Sequence, residues 1–233
     1  MKRRGIKPKG NSETKWSAKM AYIVGLIATD GNLSKDGRHL NFTSKDVQLI
    51  KLFKRCLSLK VTIGKKARGY EKEKKYFQLQ FGDVLFYRWL VGIGLSPNKS
   101  RTLGKLKIPD EYFFDFLRGC FDGDGSIYSY WDPRWHSSFM FYLQFISGSQ
   151  EFLIWLQSSI GKLSGVRGRI QEANRSQHLI FAKKDTRVVF NKMFYKKRLP
   201  CLGRKLLKAK KIFKKDDDHN KKARMAESVY AIG

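Results

Sequence analysis

Ile23-Val24-Gly25-Leu26-Ile27-Ala28-Thr29-Asp30-Gly31 and Leu117-Arg118-Gly119-Cys120-Phe121-Asp122-Gly123-Asp124-Gly125 follow one plan. In each, an apolar run with glycine in its third position ends in Asp-Gly. Gly25 and Thr29 lie one helical turn apart, as do Gly119 and Gly123. Each segment, read as a helix, therefore has a face with little side-chain bulk, and two such faces can meet backbone to backbone. Asp30 and Asp124 then stand at two helix C-termini, where the macrodipole disfavours a carboxylate by about 0.3–1 kcal/mol. Side by side, one of the two acids would tend to hold its proton. Divalent cations remove the conflict: hard ions such as Mg²⁺ take carboxylate and backbone-carbonyl oxygens and also bind substrate phosphates. Gly31 and Gly125 fall where a left-handed helix cap is expected. A third Asp-Gly, Asp36-Gly37, separates two alternating segments and reads as a hairpin turn.

Composition narrows the partners. The chain has 233 residues with 42% hydrophobic, 17 Phe and 10 Tyr, enough to bury a core. Its 48 basic and 20 acidic residues leave a net charge of +28, an excess that favours a polyanion as partner. Nucleic acid is the default and an anionic membrane surface the rival. No apolar run is long enough to span a membrane, and the basic start, Met1 to Gly5, lacks the apolar stretch of a secretory signal. An intracellular, non-secreted protein is expected. Cys56, Cys120 and Cys201 are isolated and read as small apolar residues. The histidines His39, His136, His178 and His219 are scattered, which argues against a His-metal nuclease; His219-Asn220 falls in a polar tail and carries no site reading. No phosphate-binding glycine loop appears.

Periodicity organises the rest. Residues 1–15 read as a basic, mobile arm. Ser17 is a candidate N-cap for a helix whose apolar positions are Met20, Ile23, Val24 and Ile27. Two strands flank Asp36-Gly37, Asp46 opens a helix, Val61–Arg68 and Lys75–Phe81 alternate as strands around 69–72, and Asp83–Val91 is helical. The second half repeats the order: helix Asp110–Gly123, strands Ser126–Trp131 and Ser138–Ile146, helix Gln150–Ile160, strands Val166–Gln171 and Gln177–Ala182, helix Asp185–Tyr195. The expected division is a first half over 16–107, a second over 108–213, and a solvated tail over 214–233 containing Asp216-Asp217-Asp218.

On these motifs and this order the chain resembles the LAGLIDADG homing endonucleases in their single-chain form with two motifs. The resemblance implies an α+β fold of two pseudo-symmetric αββαββα halves packed through the motif helices, with antiparallel sheets forming a DNA-binding saddle. It implies metal-dependent cleavage of both strands of a long site, leaving short 3′ overhangs. Asp30 and Asp124 would be the metal carboxylates, with Thr29 and Gly123 beside them, holding two or three Mg²⁺ ions for which Mn²⁺ or Ca²⁺ can substitute in binding. Lys45, just after the second strand, would order water near the metals; its counterpart is Gly148, which suggests an asymmetric site. Lys99 and Lys205, after the last helix of each half, would stabilise phosphate or oxyanion charge. Ala28 and Asp122 differ at the sixth motif position, and Arg118 and Cys120 depart from the consensus. Two linked halves make a monomer sufficient. The family's alternative roles are intron RNA maturase and non-cleaving DNA-binding regulator, so the partners implied are double-stranded DNA and the RNA of its own intron, with no membrane.

Strand alternation separates the faces of the sheets. Leu40, Phe42, Phe77, Leu79 and Phe81 turn inward, leaving His39, Asn41, Gln78 and Gln80 outside with Lys66 and Arg68; Arg38 precedes them. In the second half Phe139, Phe141, Leu143 and Phe145 turn inward, leaving Met140, Tyr142 and Gln144 outside with Tyr128, Arg167, Arg169 and Gln171. Arg, Gln and Asn make bidentate contacts to base edges, and two-stranded ribbons fit the major groove. Residues 196–215 hold ten Lys or Arg and no acid; Lys208, Lys210 and Lys211 there suit phosphate contacts.

Overall fold

The computed structural model describes the backbone of residues 12–67, 73–135 and 137–230, with side chains as far as Lys222. Arg68, the turn over 69–72 and residues 1–11 of the arm lie outside the described residues. Of the arm's remainder, Ser12 donates its N–H to Asp83 Oδ2 at 2.8 Å, which ties it to the first half.

The first half runs α1 (Ala18–Asp30), β1 (Gly31–Leu33), β2 (His39–Ser44), α2 (Val47–Cys56), β3 (Gly64–Lys66), β4 (Tyr76–Gly82) and α3 (Val84–Gly92). The second half runs α4 (Phe113–Gly123), β5 (Ser126–Trp131), β6 (Phe139–Ser147), α5 (Gln150–Ser164), β7 (Arg169–Ala173), β8 (Ser176–Ala182) and α6 (Lys183–Met193), followed by α7 (Gly203–Tyr230). Each half carries one four-stranded antiparallel sheet, ordered β1-β2-β4-β3 and β5-β6-β8-β7. The architecture is α+β and pseudo-symmetric. Local signals account for the element starts: Ser17 accepts from Met20 N–H, Asp46 from Gln48 N–H and Asp83 from Phe86 N–H, each replacing a hydrogen bond that a helix N-terminus lacks. Asp36 Oδ1 accepts from the N–H groups of Arg38 and His39, and Gly37 has φ +75, so that Asp-Gly is a turn. Among the described residues no helix is long and apolar enough to cross a membrane.

The halves join through α1 and α4. A Cβ on Gly25 would lie 2.1 Å from Phe116 O, and one on Gly119 would lie 2.1 Å from Tyr22 O. Only hydrogen fits at this crossing, so the two backbones touch. Around it Met20, Tyr22, Ile23, Val24, Phe116, Leu117 and Phe121 are essentially fully buried.

One expectation changes, and two features gain a structural account. Gly31 is extended, with φ −83 and ψ 152, and neither it nor Gly125 has positive φ. Their glycine requirement comes from crowding: a Cβ would sit 2.7 Å from Ile27 Cα in one case and 2.6 Å from Phe121 Cα in the other. The chain thus turns straight from helix to strand without a left-handed cap. α7 continues through the polar tail as far as Tyr230, and most of the tail's described side chains stay exposed. The helix's abundant lysines mask an apolar stripe of Leu206, Ala209, Ile212 and Phe213, and Phe213 packs against Phe141 and Phe190 at 5.6 and 5.1 Å between ring centroids. Asp216 is buried because Arg187 pairs with it at 2.8 Å and with Asp217 at 2.7 Å. Arg118, finally, is fully buried in α4. It donates to Asp115 at 2.6 Å, to Met193 O at 2.8 Å and to Pro200 O at 3.0 Å, anchoring the motif helix to the chain that leads into α7.

Gly119→Ala is expected to cost about 2–3 kcal/mol, because overpacking at a backbone contact outweighs the ~1 kcal/mol that alanine adds to a helix interior. Denaturant unfolding measures it; an unchanged midpoint would mean that the helices do not cross at this glycine.

Candidate functional site

The crossing brings the two motif ends together. A Cβ on Gly123 would lie 2.0 Å from Thr29 Oγ1 and 3.0 Å from Asp30 Oδ2, so the end of α4 abuts the last turn of α1. Asp30 is half-buried and Asp124 exposed, and neither accepts a hydrogen bond from a described side chain or backbone N–H. Burial, reinforced by the Asp124 carboxylate, raises Asp30 from 3.8 to about 7. Asp124 is raised as well, chiefly by the desolvation that the surrounding motif ends impose on its carboxylate, with Lys205 and Lys99 opposing. These are two neighbouring carboxylates short of positive charge, which is the donor set a hard divalent cation fits. Among the described residues no cluster of three or more His, Cys, Asp or Glu forms a metal site, so other oxygens would have to complete the shell.

The two lysines flank the pair unequally. Lys99 sits in a short 3₁₀ turn after Asn98, which is left-handed with φ 58. It is 5% exposed and donates one hydrogen bond, to Gly31 O at 2.5 Å. Lys205, in the first turn of α7, lies within 2.6–3.0 Å of four carbonyls: Phe121, Asp122, Gly123 and Gly125. It therefore caps the C-terminus of α4 and offsets its dipole. Burial lowers both lysines to about 8, with the carboxylates pulling the other way. Lys99 keeps donor capacity to spare, whereas that of Lys205 is consumed by the helix end, including the Gly123 carbonyl expected beside the metal.

A cleft of about 480 Å³ opens beside this centre, and its lining includes Thr29, Asp30, Asn41, Lys45, Lys66 and Lys99. Six of the residues singled out from sequence therefore share one space. Lys45 reaches over the Tyr76 ring at 5.1 Å from its centroid. On the other side a Cβ at Gly148 would lie 2.7 Å from Ser100 O, so the backbone between the halves excludes any side chain there. Asp122 is buried and committed to other partners. One oxygen accepts from Tyr22 Oη and Leu202 N–H, both at 2.7 Å, a fixing role with no equivalent at Ala28.

The outer strand face is assembled largely as its alternation implies. Asn41 pairs across with Gln80 and Thr43 with Gln78; Tyr142 pairs with Tyr128, and Gln144 with Ser126 and Ile180. Arg169 and Gln171 stand opposite Ile180 and His178 on that face. Arg167 is exposed just before β7, beyond Gly168 with φ +65. His39 is held by Asp36 and Arg38 lies 3.9 Å from the same carboxylate, so both are partly engaged within their turn. Lys208, Lys210 and Lys211 are exposed on α7, which packs on the inner face of the second sheet and not on the strand face. Sequence reasoning passed over Thr43, Tyr76 and Tyr130. The parity that selected Asn41, Gln78 and Tyr128 selects them too, and Tyr130 stacks on Tyr142 at 5.9 Å.

The sequence matches no protein-family model and no curated protein. Solved structures do share the fold. The I-LtrWI LAGLIDADG homing endonuclease bound to target DNA is 15% identical, with 88% of this chain and 91% of that chain covered at a TM-score of 0.57. The homing endonuclease I-WcaI bound to its DNA recognition sequence is 18% identical, with 78% and 88% covered at 0.56. The N-terminal LAGLIDADG domain of DUF199/WhiA is 18% identical, with 79% and 85% covered at 0.52.

A carboxyl that binds its proton more tightly folded than unfolded stabilises the fold fully below pH 3.8, and that contribution is lost as pH rises through about 7. Asp30→Asn escapes the loss. Without added metal, it should match the parent protein at the acid end and exceed its stability by roughly 2–4 kcal/mol above neutrality, read from denaturant midpoints across pH. Parallel pH profiles would show that Asp30 is not desolvated beside Asp124.

Proposed function

We propose that this chain, whose fold is that of the LAGLIDADG proteins, is a site-specific DNA endonuclease that makes a metal-dependent double-strand break with short 3′ overhangs in a long recognition site. The observation that carries the reading is the convergence of Asp30 and Asp124, from two duplicated helices, on one electron-rich spot where the ends of α1 and α4 meet. DNA-bound neighbours of the same fold and the net charge of +28 support double-stranded DNA as the substrate.

Asp30 and Asp124 would hold the divalent cations, Mg²⁺ by preference. Bound there, such ions polarise a phosphodiester and lower the pKa of a coordinated water. The backbone oxygen of Thr29 is a further candidate donor; that of Gly123 would serve only after Lys205 lets go of it. Lys99, with unused donors next to the carboxylates, is the candidate for neutralising charge on the scissile phosphate. Lys205 positions the end of α4, and with it Asp124. Lys45 orients water or phosphate on the first half's side of the centre, and nothing replaces it at Gly148. On the strand faces Asn41, Gln78, Gln80, Gln144, Arg169 and Gln171 are the candidate base readers, while Lys66 contacts backbone phosphate.

Incubating the protein and Mg²⁺ with a plasmid carrying the uninterrupted host locus should yield a linear product. Asp30→Asn or Asp124→Asn should each slow its formation by at least about 10²-fold. A nicked circle should precede the linear form, since only one side carries Lys45, and Lys45→Ala should reduce that difference between the strands. Tight binding of the locus without cutting would identify a DNA-binding regulator of this fold, and stimulation of intron splicing a maturase.

A further inference from the structure

At the end of the second sheet farthest along α7, Trp131 is the last residue of β5. It pairs with Phe139 of β6, so it belongs to the inner register, opposite to the face of Tyr128 and Tyr142. α7 runs beneath it. His219 meets the indole edge-on at 5.0 Å between centroids, and Lys215 Nζ lies 5.3 Å from the same ring and 5.1 Å from Phe139. Trp131 nevertheless stays 40% exposed. It forms one wall of a pocket of about 360 Å³ whose remaining lining is Lys211, Lys214, Lys215, Asp218, His219 and Lys222. Four ammonium groups thus stand with a single carboxylate around an aromatic ring that Lys215, Phe139 and His219 cover only in part. The neighbouring acids do not redress the balance, because Asp216 and Asp217 are paired with Arg187.

We infer that this pocket is a second nucleic-acid site, which takes an unpaired nucleotide of a single strand with its base on Trp131 and its flanking phosphates on Lys211, Lys214 and Lys222. An exposed aromatic ring beside clustered cations matches the two halves of a nucleotide, a flat π-face and an anionic linker. A base still stacked within a duplex has no face to offer the ring, so the ligand is single-stranded. A duplex on the outer strand faces leaves the inner pocket open, so both can be bound at once. An acidic peptide would satisfy the lysines but would make no use of the indole. This inference is independent of the cleavage reading: it needs neither Asp30, Asp124 nor metal.

The test is fluorescence anisotropy of labelled oligothymidylate and oligouridylate at one fixed salt concentration, on the full chain already saturated with unlabelled duplex. Binding to the duplex-loaded protein is expected. Lys214→Gln with Lys222→Gln, exposed changes that do not threaten the fold, and separately Trp131→Leu, should each weaken single-strand binding by about tenfold and leave duplex affinity within about twofold. Equal binding of both oligonucleotides assigns the phosphate and the common pyrimidine face as the features read, and preference for either adds discrimination at the 2′-hydroxyl or the thymine methyl; both uphold the site. Competitive displacement of the oligonucleotide by duplex would overturn it. So would equal weakening of both ligands by the lysine variants, or displacement by polyglutamate together with indifference to Trp131→Leu.

Discussion

Everything in this molecule follows from the absence of two side chains, at Gly25 and Gly119. Their hydrogens let α1 and α4 touch along their backbones, and the contact at 2.1 Å from a hypothetical Cβ leaves no room for adjustment. Because the helices cross there, their C-termini end together one turn later, and each ends in an aspartate. The site is thus a geometric consequence of the interface that holds the halves together. Its electrostatic cost is visible in a carboxyl held at about 7 beside lysines held at about 8. Lys99 and Lys205 offset part of the negative charge from within, and a polyanion with its cations would complete the balance.

The symmetry is that of the fold and not of the chemistry. Tyr22 and Leu202 fasten Asp122, whereas Ala28 at the matching place fastens nothing. Lys45 enters the first cleft, and the carbonyl of Ser100 closes the corresponding space at Gly148. Arg118, Asp122 and Lys205 all tie the second motif helix to the chain around α7. The second half is therefore the more firmly braced, and the first has the more open cleft and the freer lysine.

Sequence made the paired helices legible because close packing demands glycine at fixed spacing, and a repeat doubles the signal. Strand parity was legible for the same kind of reason: one face must be apolar, so Leu40, Phe42, Phe141 and Leu143 could be told from Asn41 and Tyr142. Caps at Ser17, Asp46 and Asp83 could be read because each satisfies a local N–H. What escaped was set by distant contacts. The lysines of α7 hide a stripe that only the inner face of the second sheet makes useful. His219 gains meaning from Trp131, with which no local pattern connects it. Lys205 could be placed by analogy, but its capture by four carbonyls depends on where α4 ends. The glycines at 31 and 125 were placed correctly and explained wrongly, since crowding by the preceding turn leaves the same trace as left-handed geometry.

The most direct test of the shared centre is to let a bound ion mark its own surroundings. Fe²⁺ with ascorbate and peroxide cuts polypeptide next to the site it occupies, and mass spectrometry maps the breaks. Scission around both Thr29–Gly31 and Gly123–Gly125, suppressed by excess Mg²⁺ and lost at both places on Asp30→Asn, is the result this account requires. Breaks at only one motif, or a pattern indifferent to Mg²⁺, would mean that the two aspartates do not hold a common cation.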